Sequence, residues 1–253
     1  MPTKFYKYQG TGNDFVMIDD RSKTFPIHQK LIENLCHRRF GIGADGLILL
    51  QNDADYDFRM VYFNADGREG SMCGNGGRCT VRFAEDLGVF KDSTKFIAVD
   101  GEHLADADSA EIHLKMGEVH SIERHDGYDF MNTGSPHYVA YVDDIEAVDV
   151  FGEGRKIRYS DEWVKRGGTN VNFVQIVDSE TIYVRTYERG VEDETYSCGT
   201  GVTACALSAF MRHGLQSPLK VITKGGNLRV KFDEAFKEVY LIGPAVRVFE
   251  GEF

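Results

Sequence analysis

Short apolar and alternating stretches dominate the first half of the chain. Alternation with a period of two is typical of β-strands, whereas a helix repeats its apolar positions every three or four residues. The strand pattern is followed by "KFYKYQ" (4–9), "FVMIDD" (15–20), "LILLQ" (47–51) and "YDFRMVYFN" (56–64). The helical pattern is followed by 28–39 and by 75–87, and Gly88 stands where a helix-ending glycine is expected.

The second half of the chain repeats this succession of elements. Its pattern predicts strands near 137–142, 171–177 and 181–187, then a helix near 200–213 that ends before Gly214, and finally further short strands. The strands are too short, and too often joined as hairpins, for regular strand–helix–strand units. We therefore predict an α+β fold.

The repetition extends to individual residues. An alignment of Cys73 with Cys198 superimposes Glu69 on Glu194, Gly74 on Gly199, and Gly76 on Gly201, and it brings Gly88 near Gly214. An offset of about 125 residues indicates an internal duplication. We predict two pseudo-symmetric domains of similar topology, each with mixed strands around a central helix, and an active site in the cleft between them. Domain one covers 1–117 together with the last strand, 246–253, and domain two covers 118–245.

The composition narrows the class of protein. Of the 253 residues, 42% are hydrophobic and 27% are charged, as in ordinary globular proteins. The net charge of −11 argues against nucleic acid or an anionic membrane surface as a partner, because both favour a basic face. No apolar run is long enough to cross a membrane, and the first residues lack the apolar core of a signal peptide. Five cysteines, an odd number, fit a reducing compartment, so we expect a cytoplasmic protein.

Two cysteines stand at the predicted start of a helix, in "MCGNGGRC" (72–79) and in "SCGTGVTAC" (197–205). A thiol there faces unpaired backbone N–H groups and the positive end of the helix dipole, which favours its thiolate. The second cysteine of each stretch, Cys79 or Cys205, lies further along the helix and is expected in the core. The spacings do not match zinc knuckles, and no Cys-x-x-Cys redox motif is present. A cysteine protease would leave one of the two thiols unexplained.

A pair of thiols suits a reaction that removes a proton from one face of a carbon and delivers a proton to the other face. Racemisation and epimerisation of amino acids have this requirement, with one thiolate as the base and one thiol as the acid. No lysine stands in a recognisable pyridoxal phosphate motif, and no cluster of metal-ligand residues is visible in the sequence. We therefore expect neither a cofactor nor a metal.

Eight short motifs, in order along the chain, resemble the diaminopimelate epimerase family. They are "GTGNDF" (10–15), "FGIGADG" (40–46), "FNADG" (63–67), "MCGNGGRC" (72–79), "TGSPH" (133–137), "TNVNF" (169–173), "YERG" (187–190) and "SCGTG" (197–201). The resemblance implies an isomerase that interconverts LL- and meso-diaminopimelate without pyridoxal phosphate, in lysine and peptidoglycan-precursor synthesis. It also implies two similar α+β domains and a small amino-acid substrate. A homodimer is compatible with this assignment.

The resemblance further implies roles for individual residues. Cys73 and Cys198 match the two catalytic cysteines. The positions that match the helix-end cradle for the reacting carboxylate are Gly74, Asn75, Gly199 and Thr200. Those that match the substrate pocket are Asn13, Asn64, Asn170, Glu188 and Arg189. His137 and Ser135 match a supporting group. Asn64, Asn170 and Arg189 are expected to recognise the distal end of the substrate. Glu188 and His137 are expected to assist ionisation of the cysteines or to hold the substrate amine.

Two departures from the family pattern leave alternatives open. Ser135 stands where the family usually has asparagine, and Gly46 stands where some members have glutamine. A related two-cysteine racemase, acting on histidine, would keep both cysteines and change the distal pocket, which is where Ser135 is expected. Proline-type relatives usually have histidine where this chain has Asn75. The alternative from another class is a non-catalytic amino-acid-binding protein on the same fold, and the presence of both cysteines argues against it.

Overall fold

The computed structural model describes residues 2–70 and 72–253. The chain divides into two compact units, one formed by the residues up to Leu114 together with Gly243–Phe253, the other by Lys115–Ile242. We call them the first and the second unit. The sequence pattern places the same boundaries at 117/118 and 245/246.

The described residues of the first unit form two helices and a mixed set of β-strands. Its elements up to the boundary at Leu114, in chain order, are β1 (Lys4–Gly10), β2 (Asn13–Asp19), α1 (Gln29–Cys36), β3 (Gly46–Gln51), β4 (Phe58–Asn64), α2 (Gly74–Asp86), β5 (Ser93–Ala98), β6 (Gly101–Ala107) and β7 (Ile112–Met116).

The second unit contains three helices and a similar set of strands. Its elements are β8 (Ile122–Arg124), β9 (Tyr128–Asn132), β10 (Pro136–Tyr141), α3 (Val150–Arg158), α4 (Asp161–Lys165), β11 (Asn170–Asp178), β12 (Thr181–Glu188), β13 (Asp193–Thr195), α5 (Gly199–His213), β14 (Leu219–Thr223), β15 (Gly226–Phe232) and β16 (Val239–Gly243). The last strand of the chain, β17 (Val246–Glu252), pairs antiparallel with β1 and so completes the first unit.

The two units repeat one order of strand pairings. In the first unit β1–β2 is antiparallel, β2–β3 parallel, β3–β4 antiparallel, β4–β5 parallel, and β5–β6 and β6–β7 are antiparallel. In the second unit β9–β10, β10–β11, β11–β12, β12–β14, β14–β15 and β15–β16 follow the same alternation. The long helix of each unit, α2 or α5, lies between the fourth and fifth strands of this series. The predicted α+β fold with two similar halves is confirmed.

Helices cover both faces of the sheet in the first unit, which explains the continuous apolar run of β3. Leu47 and Leu49 pack with Ile32 and Leu35 of α1 in one cluster. Ile48 points to the other face, where its Cδ1 would lie 3.2 Å from a Cβ placed on Gly76 of α2. All six residues of β3 are therefore buried, as expected for a strand covered on both sides.

The second unit has the same layers, and here the structure adds two helices that the sequence pattern does not predict. α5 lies in the main apolar cluster, while α3 packs against Val171, Phe173 and Tyr187 through Val150. α3 has nine residues, including Gly152 and Gly154, and α4 has five, so both carry a weak helical signal. Gly154 is required by close packing, because a Cβ there would lie 2.4 Å from the Cβ of Tyr187.

None of the helices in the described ranges combines the length and the apolarity that a membrane-spanning helix needs.

Candidate active site

Cys73 is the N-cap residue of α2, in an extended conformation with φ −113° and ψ 121°. Its carbonyl accepts the first helical hydrogen bond, from the backbone N–H of Gly77 at 2.7 Å, but its side chain makes no capping bond. The first turn of α2 contains no acidic residue. The thiol therefore lies at the positive end of a buried helix without serving as its cap.

The side chain of Asn13, at the start of β2, presents its carbonyl oxygen to this thiol. The Asn13 Nδ2 donates to Asp45 Oδ2 at 2.7 Å, and a carboxylate can only accept, so the Asn13 Oδ1 faces the other way. That oxygen lies 3.5 Å from Cys73 Sγ and accepts from Asn75 Nδ2 at 3.3 Å. Asp45 is held in turn by Arg38, at 2.6 Å. Three residues predicted for the site, Asn13, Cys73 and Asn75, thus meet in the first unit.

Asn64 does not join this network. It ends β4 and starts a turn, in which its backbone carbonyl accepts from the N–H of Gly67 at 2.9 Å. Its side chain is exposed, and among the described residues it makes no hydrogen bond with Asn13, Cys73 or Asn75. A distal-recognition role for Asn64 stays a prediction.

Cys198 is the N-cap residue of α5, and its backbone matches that of Cys73, with φ −115° and ψ 111°. Again the side chain makes no capping bond. Its Sγ lies 3.5 Å from the hydroxyl oxygen of Thr200, and the Thr200 carbonyl accepts from the Thr133 hydroxyl at 2.7 Å. The two predicted cysteines therefore occupy equivalent places in the two units.

A chain of hydrogen bonds with a defined direction leads from the interior of the second unit to Thr200. Asn172 Nδ2 donates to the backbone carbonyl of Tyr138 at 2.8 Å, and Asn172 Oδ1 accepts from the Thr186 hydroxyl at 2.9 Å. These two contacts identify the amide nitrogen of Asn172, which can only donate. His137 Nδ1, 3.2 Å from this nitrogen, must therefore be the acceptor. The proton of His137 is then on Nε2, which lies 2.9 Å from the Thr200 hydroxyl.

His137 is a neutral imidazole. It is completely buried, and burial lowers its pKa from 6.5 to about 3, with the charge of Arg189 acting in the same direction. Its Nε2–H donates to Thr200, so the Thr200 hydroxyl keeps its own proton for Cys198. Thr200 thus connects His137 to Cys198, and a supporting role for His137 stays a prediction. Gly201 makes room for this arrangement, since a Cβ there would lie 2.6 Å from Asn172 Oδ1.

The remaining predicted residues of the second unit form a separate set of contacts around Asn170. Its Nδ2 donates to the Ser135 hydroxyl at 2.9 Å and to the Pro136 carbonyl at 2.8 Å, and its Oδ1 accepts from the backbone N–H of Arg189 at 2.9 Å. The exposed side chain of Arg189 donates to the Gly167 carbonyl at 3.1 Å. Glu188 accepts from the Thr195 hydroxyl at 2.9 Å. Asn170 therefore ties Ser135 to the Arg189 segment.

Cys36, Cys79 and Cys205 are buried, and so is Cys198, whereas Cys73 is partly buried. Burial raises the pKa of Cys36 to about 12, that of Cys79 to about 12, and that of Cys205 well above its usual range. Cys79 and Cys205 lie in the core, as predicted. The described residues contain no group of three or more histidine, cysteine or acidic side chains arranged to hold a metal ion.

Three positioning residues were missed by the sequence analysis. Asp45 orients Asn13, and Asn172 and Thr186 orient His137. Asp45 and Asn172 lie inside two of the eight motifs, "FGIGADG" and "TNVNF", so a signal was present.

Two α+β units of one topology, each with a cysteine at the N-terminus of its buried helix, define a two-domain fold shared by known racemases and epimerases. Among solved structures, a hydroxyproline epimerase from Agrobacterium vitis matches with a TM-score of 0.68 at 13% identity, over 100% of this chain and 91% of that one. A phenazine biosynthesis protein of the PhzF family from Bacillus anthracis matches with a TM-score of 0.78 at 14% identity, over 100% and 99% of the two chains. At such identities the likeness concerns the fold.

The chain belongs to the diaminopimelate epimerase family. The family model described as "Diaminopimelate epimerase" matches residues 5–122 and 130–248. The chain is 51% identical to the diaminopimelate epimerase of Flavobacterium psychrophilum, over 98% of both chains. It is 42% identical to that of Aquifex aeolicus, over 98% of this chain and 96% of the relative. The resemblance drawn from the eight motifs is confirmed, and with it the assignment to the isomerases.

Proposed function

We propose that this chain interconverts LL- and meso-diaminopimelate by two-base proton transfer at the α-carbon, without a cofactor, in lysine and peptidoglycan-precursor biosynthesis. The observation that carries the proposal is the equivalent placement of Cys73 and Cys198 as N-cap residues whose thiols do not cap. The other three thiols are buried, with pKa values that keep them protonated.

In the proposed reaction one cysteine, as thiolate, takes the α-proton, and the other, as thiol, delivers a proton to the opposite face. The reaction needs both thiols for each turnover. Backbone N–H groups at Gly74, Asn75, Gly199 and Thr200 are suited to hold the α-carboxylate, because a helix N-terminus offers unpaired donors and a positive dipole end. The same donors stabilise the negative charge that develops on that carboxylate when the α-proton leaves.

For the distal end of the substrate we propose Arg189 together with its neighbours Asn170 and Ser135, and Asn64 from the first unit. The Arg189 guanidinium is exposed, and its planar fork suits a carboxylate. The amide of Asn170 is already bonded to Ser135, Pro136 and Arg189, which supports a role in placing Arg189 as well as in contacting substrate.

The experiment is hydrogen exchange at the α-carbon in D2O, with LL-diaminopimelate, L-histidine and L-proline offered separately. We expect deuterium in diaminopimelate alone, and no conversion of LL- to meso-diaminopimelate when Cys73→Ala or Cys198→Ala replaces the wild type. Exchange in histidine and not in diaminopimelate would replace the substrate assignment by the histidine-type alternative. No exchange in any of the three by folded wild-type protein would contradict acid–base catalysis and favour an amino-acid-binding protein.

We further propose that the partner of the chain is a second copy of itself. β17 pairs with β1, and it carries exposed apolar side chains at Val246, Val248 and Phe249. An exposed apolar strand at a sheet edge is a surface that proteins usually cover. Light scattering after size exclusion should give the mass of two chains for the wild type and of one chain for Val248→Glu. A monomeric wild type would refute the dimer.

We propose a cytoplasmic location because the chain has five cysteines, an odd number that fits a reducing compartment. Cell fractionation with an antibody against the chain tests it, and recovery outside the cytoplasmic fraction would refute it.

A further inference from the structure

Arg78, on α2, is a buried cation without a carboxylate partner. Its side chain is completely buried. Its Nη2 donates to the Thr11 hydroxyl at 3.2 Å, while its Nε and Nη1 have no hydrogen-bond partner among the described residues. An arginine stays protonated in a protein even where burial lowers its pKa, as it does here. A buried ion with so few partners is costly, so the position calls for a physical reason.

The surroundings of Arg78 hold its guanidinium close to the start of α2. Gly10 leaves the space, since a Cβ there would lie 3.3 Å from Arg78 Nη2, 3.3 Å from Cys79 Sγ and 3.2 Å from the carbonyl oxygen of Asn75. Arg78 follows Cys73 by five residues, about 7.5 Å along a helix axis, and helical side chains lean toward the N-terminus. The guanidinium thus lies near the Asn75 carbonyl, in the first turn of α2.

The ionisable groups that act on the Arg78 guanidinium are the thiols of Cys79 and Cys73. Burial raises the pKa of Cys79 to about 12, so Cys79 stays neutral. Cys73 is therefore the group whose ionisation would give this cation a counter-charge.

Several charged or titratable groups on the strands against α2 and just before β3 have partners of their own. They pair as follows: Tyr8 of β1 with Asp86; Asp14 of β2 with Lys7 and Arg38; Asp45, before β3, with Arg38; Arg59 of β4 with Asp53; Glu102 and His103 of β6 with Lys95 and Asp100; Arg247 of β17 with Glu250. Asp14 directly follows Asn13 in the chain, and Asp45 accepts a hydrogen bond from the Asn13 side chain at 2.7 Å. Both carboxylates, like the Asn13 carbonyl, favour a protonated Cys73.

We propose that Arg78 is a positioning residue whose buried positive charge lets Cys73 ionise against the acceptor and carboxylates around it. The inference rests on the proposed role of Cys73 as an acid–base group. It applies to one cysteine only, because the fifth residue after Cys198 is Thr203, whose hydroxyl donates to the Gly199 carbonyl at 3.0 Å. In the second unit the neighbours of Cys198 are instead Thr200 and, behind it, His137.

The test measures the ionisation of each cysteine without substrate, so it can fail while the proposed function stands. Alkylation by iodoacetamide is followed across pH, and the peptides that contain Cys73 and Cys198 are quantified in the same sample. In Arg78→Met and Arg78→Gln the midpoint for Cys73 should rise by about one pH unit or more, the usual effect of losing a nearby opposite charge. The midpoint for Cys198 should not move. Arg78→Lys keeps the charge, so the midpoint for Cys73 should stay close to the wild-type value.

Arg82→Met is the matched control, since Arg82 lies one turn further along α2 and pairs with Glu85. It should leave both midpoints unchanged. A folded Arg78→Met protein with a wild-type profile for Cys73 would overturn the proposal, as would equal shifts at both cysteines.

A second measurement covers the case in which the Arg78 variants do not fold. A lowered pKa at Cys73 contributes stability that grows as the pH rises from that pKa and is complete above the value near 8.5 of a free thiol. As the pH rises toward 8.5, Cys73→Ser should therefore lose stability relative to wild type. A stability difference between Cys73→Ser and wild type that does not change with pH would overturn the proposal.

Discussion

The Nε2 of His137 lies 2.9 Å from the hydroxyl oxygen of Thr200, and because Asn172 fixes the imidazole tautomer, the proton in this contact belongs to the histidine. The Thr200 hydroxyl accepts this hydrogen bond and keeps its own hydrogen. Its oxygen lies 3.5 Å from Cys198 Sγ. Cys198 thus faces a hydrogen-bond donor, whereas Cys73 faces the carbonyl of Asn13. A donor favours thiolate and an acceptor favours thiol.

The first prediction follows from the donation of a hydrogen bond by Thr200 to Cys198. Thr200→Val keeps the shape of the side chain and removes the donor, so the pKa of Cys198 should rise by about one unit or more, because a hydrogen bond to a charged group contributes about 1.5–3 kcal/mol. Thr200→Ser should keep the wild-type value. Alkylation of the Cys198 peptide across pH measures both.

Thr203→Val is the control for that substitution. It makes the same chemical change in the same helix, at a hydroxyl that bonds a backbone carbonyl at 3.0 Å. If Thr203→Val and Thr200→Val raise the pKa of Cys198 equally, the effect comes from helix packing, and the hydrogen bond from Thr200 to Cys198 does not contribute to it.

The second prediction concerns stability in acid. The pKa of His137 is lowered by burial from 6.5 to about 3, so below pH 6.5 the unfolded chain binds a proton that the folded chain does not. The stabilising contribution is complete above pH 6.5 and is lost as the pH falls toward 3. Between pH 7.5 and 4.5 it amounts to about 2–3 kcal/mol, at 1.36 kcal/mol per unit.

Urea unfolding at pH 7.5 and 4.5 gives this quantity directly. His137→Gln should show a smaller loss of unfolding free energy between the two pH values than wild type, by about 2–3 kcal/mol. His120→Gln, at an exposed histidine, should behave as wild type. An unchanged pH dependence in His137→Gln would mean that His137 is protonated in the folded protein.

The positions of the reactive cysteines could be predicted because local chemistry determines them. A Cys-Gly-x-Gly pattern ahead of a helical repeat identifies an N-cap, and Cys73 and Cys198 both occupy one. The buried partners could not be predicted in the same way. Asn172 lies on β11 among apolar neighbours, and its amide is oriented by Tyr138 and Thr186, which come from other strands.

Helices α3 and α4 were missed for a related reason. Gly154 weakens the local helical signal, and it is present because α3 must approach Tyr187 closely. A contact between distant parts of the chain thus selects a residue that opposes the local preference. Arg78 is a second case: a charged side chain usually lies on the surface, and only the fold buries this one near the start of α2.

The third prediction ranks the five thiols. With a small excess of iodoacetamide at pH 8, Cys73 and Cys198 should react, because each lies at the N-terminus of a helix. Cys36, Cys79 and Cys205 should react only after unfolding, because burial raises their pKa. Mass spectrometry of the peptides gives the order. Early modification of Cys79 or Cys205 would show that a buried helix position opens in solution, and it would remove the distinction on which the two-cysteine assignment depends.

The last prediction concerns the distal end of the substrate. The Arg189 backbone is anchored to Asn170 Oδ1 at 2.9 Å, and its side chain touches Gly167 at 3.1 Å, so the guanidinium is placed and still exposed. Arg189→Lys keeps the charge and loses the planar fork, and Arg189→Ala loses both. Each should raise KM for LL-diaminopimelate, by about tenfold or more for alanine, with a smaller change in kcat, because distal binding is common to ground and transition states. Arg166→Ala, at an arginine of the same unit paired with Glu123, is the control and should leave KM unchanged. Should Arg189→Ala fold and turn over diaminopimelate with the wild-type KM, the distal carboxylate is bound elsewhere, and Ser135 and Asn170 lose their proposed role with it.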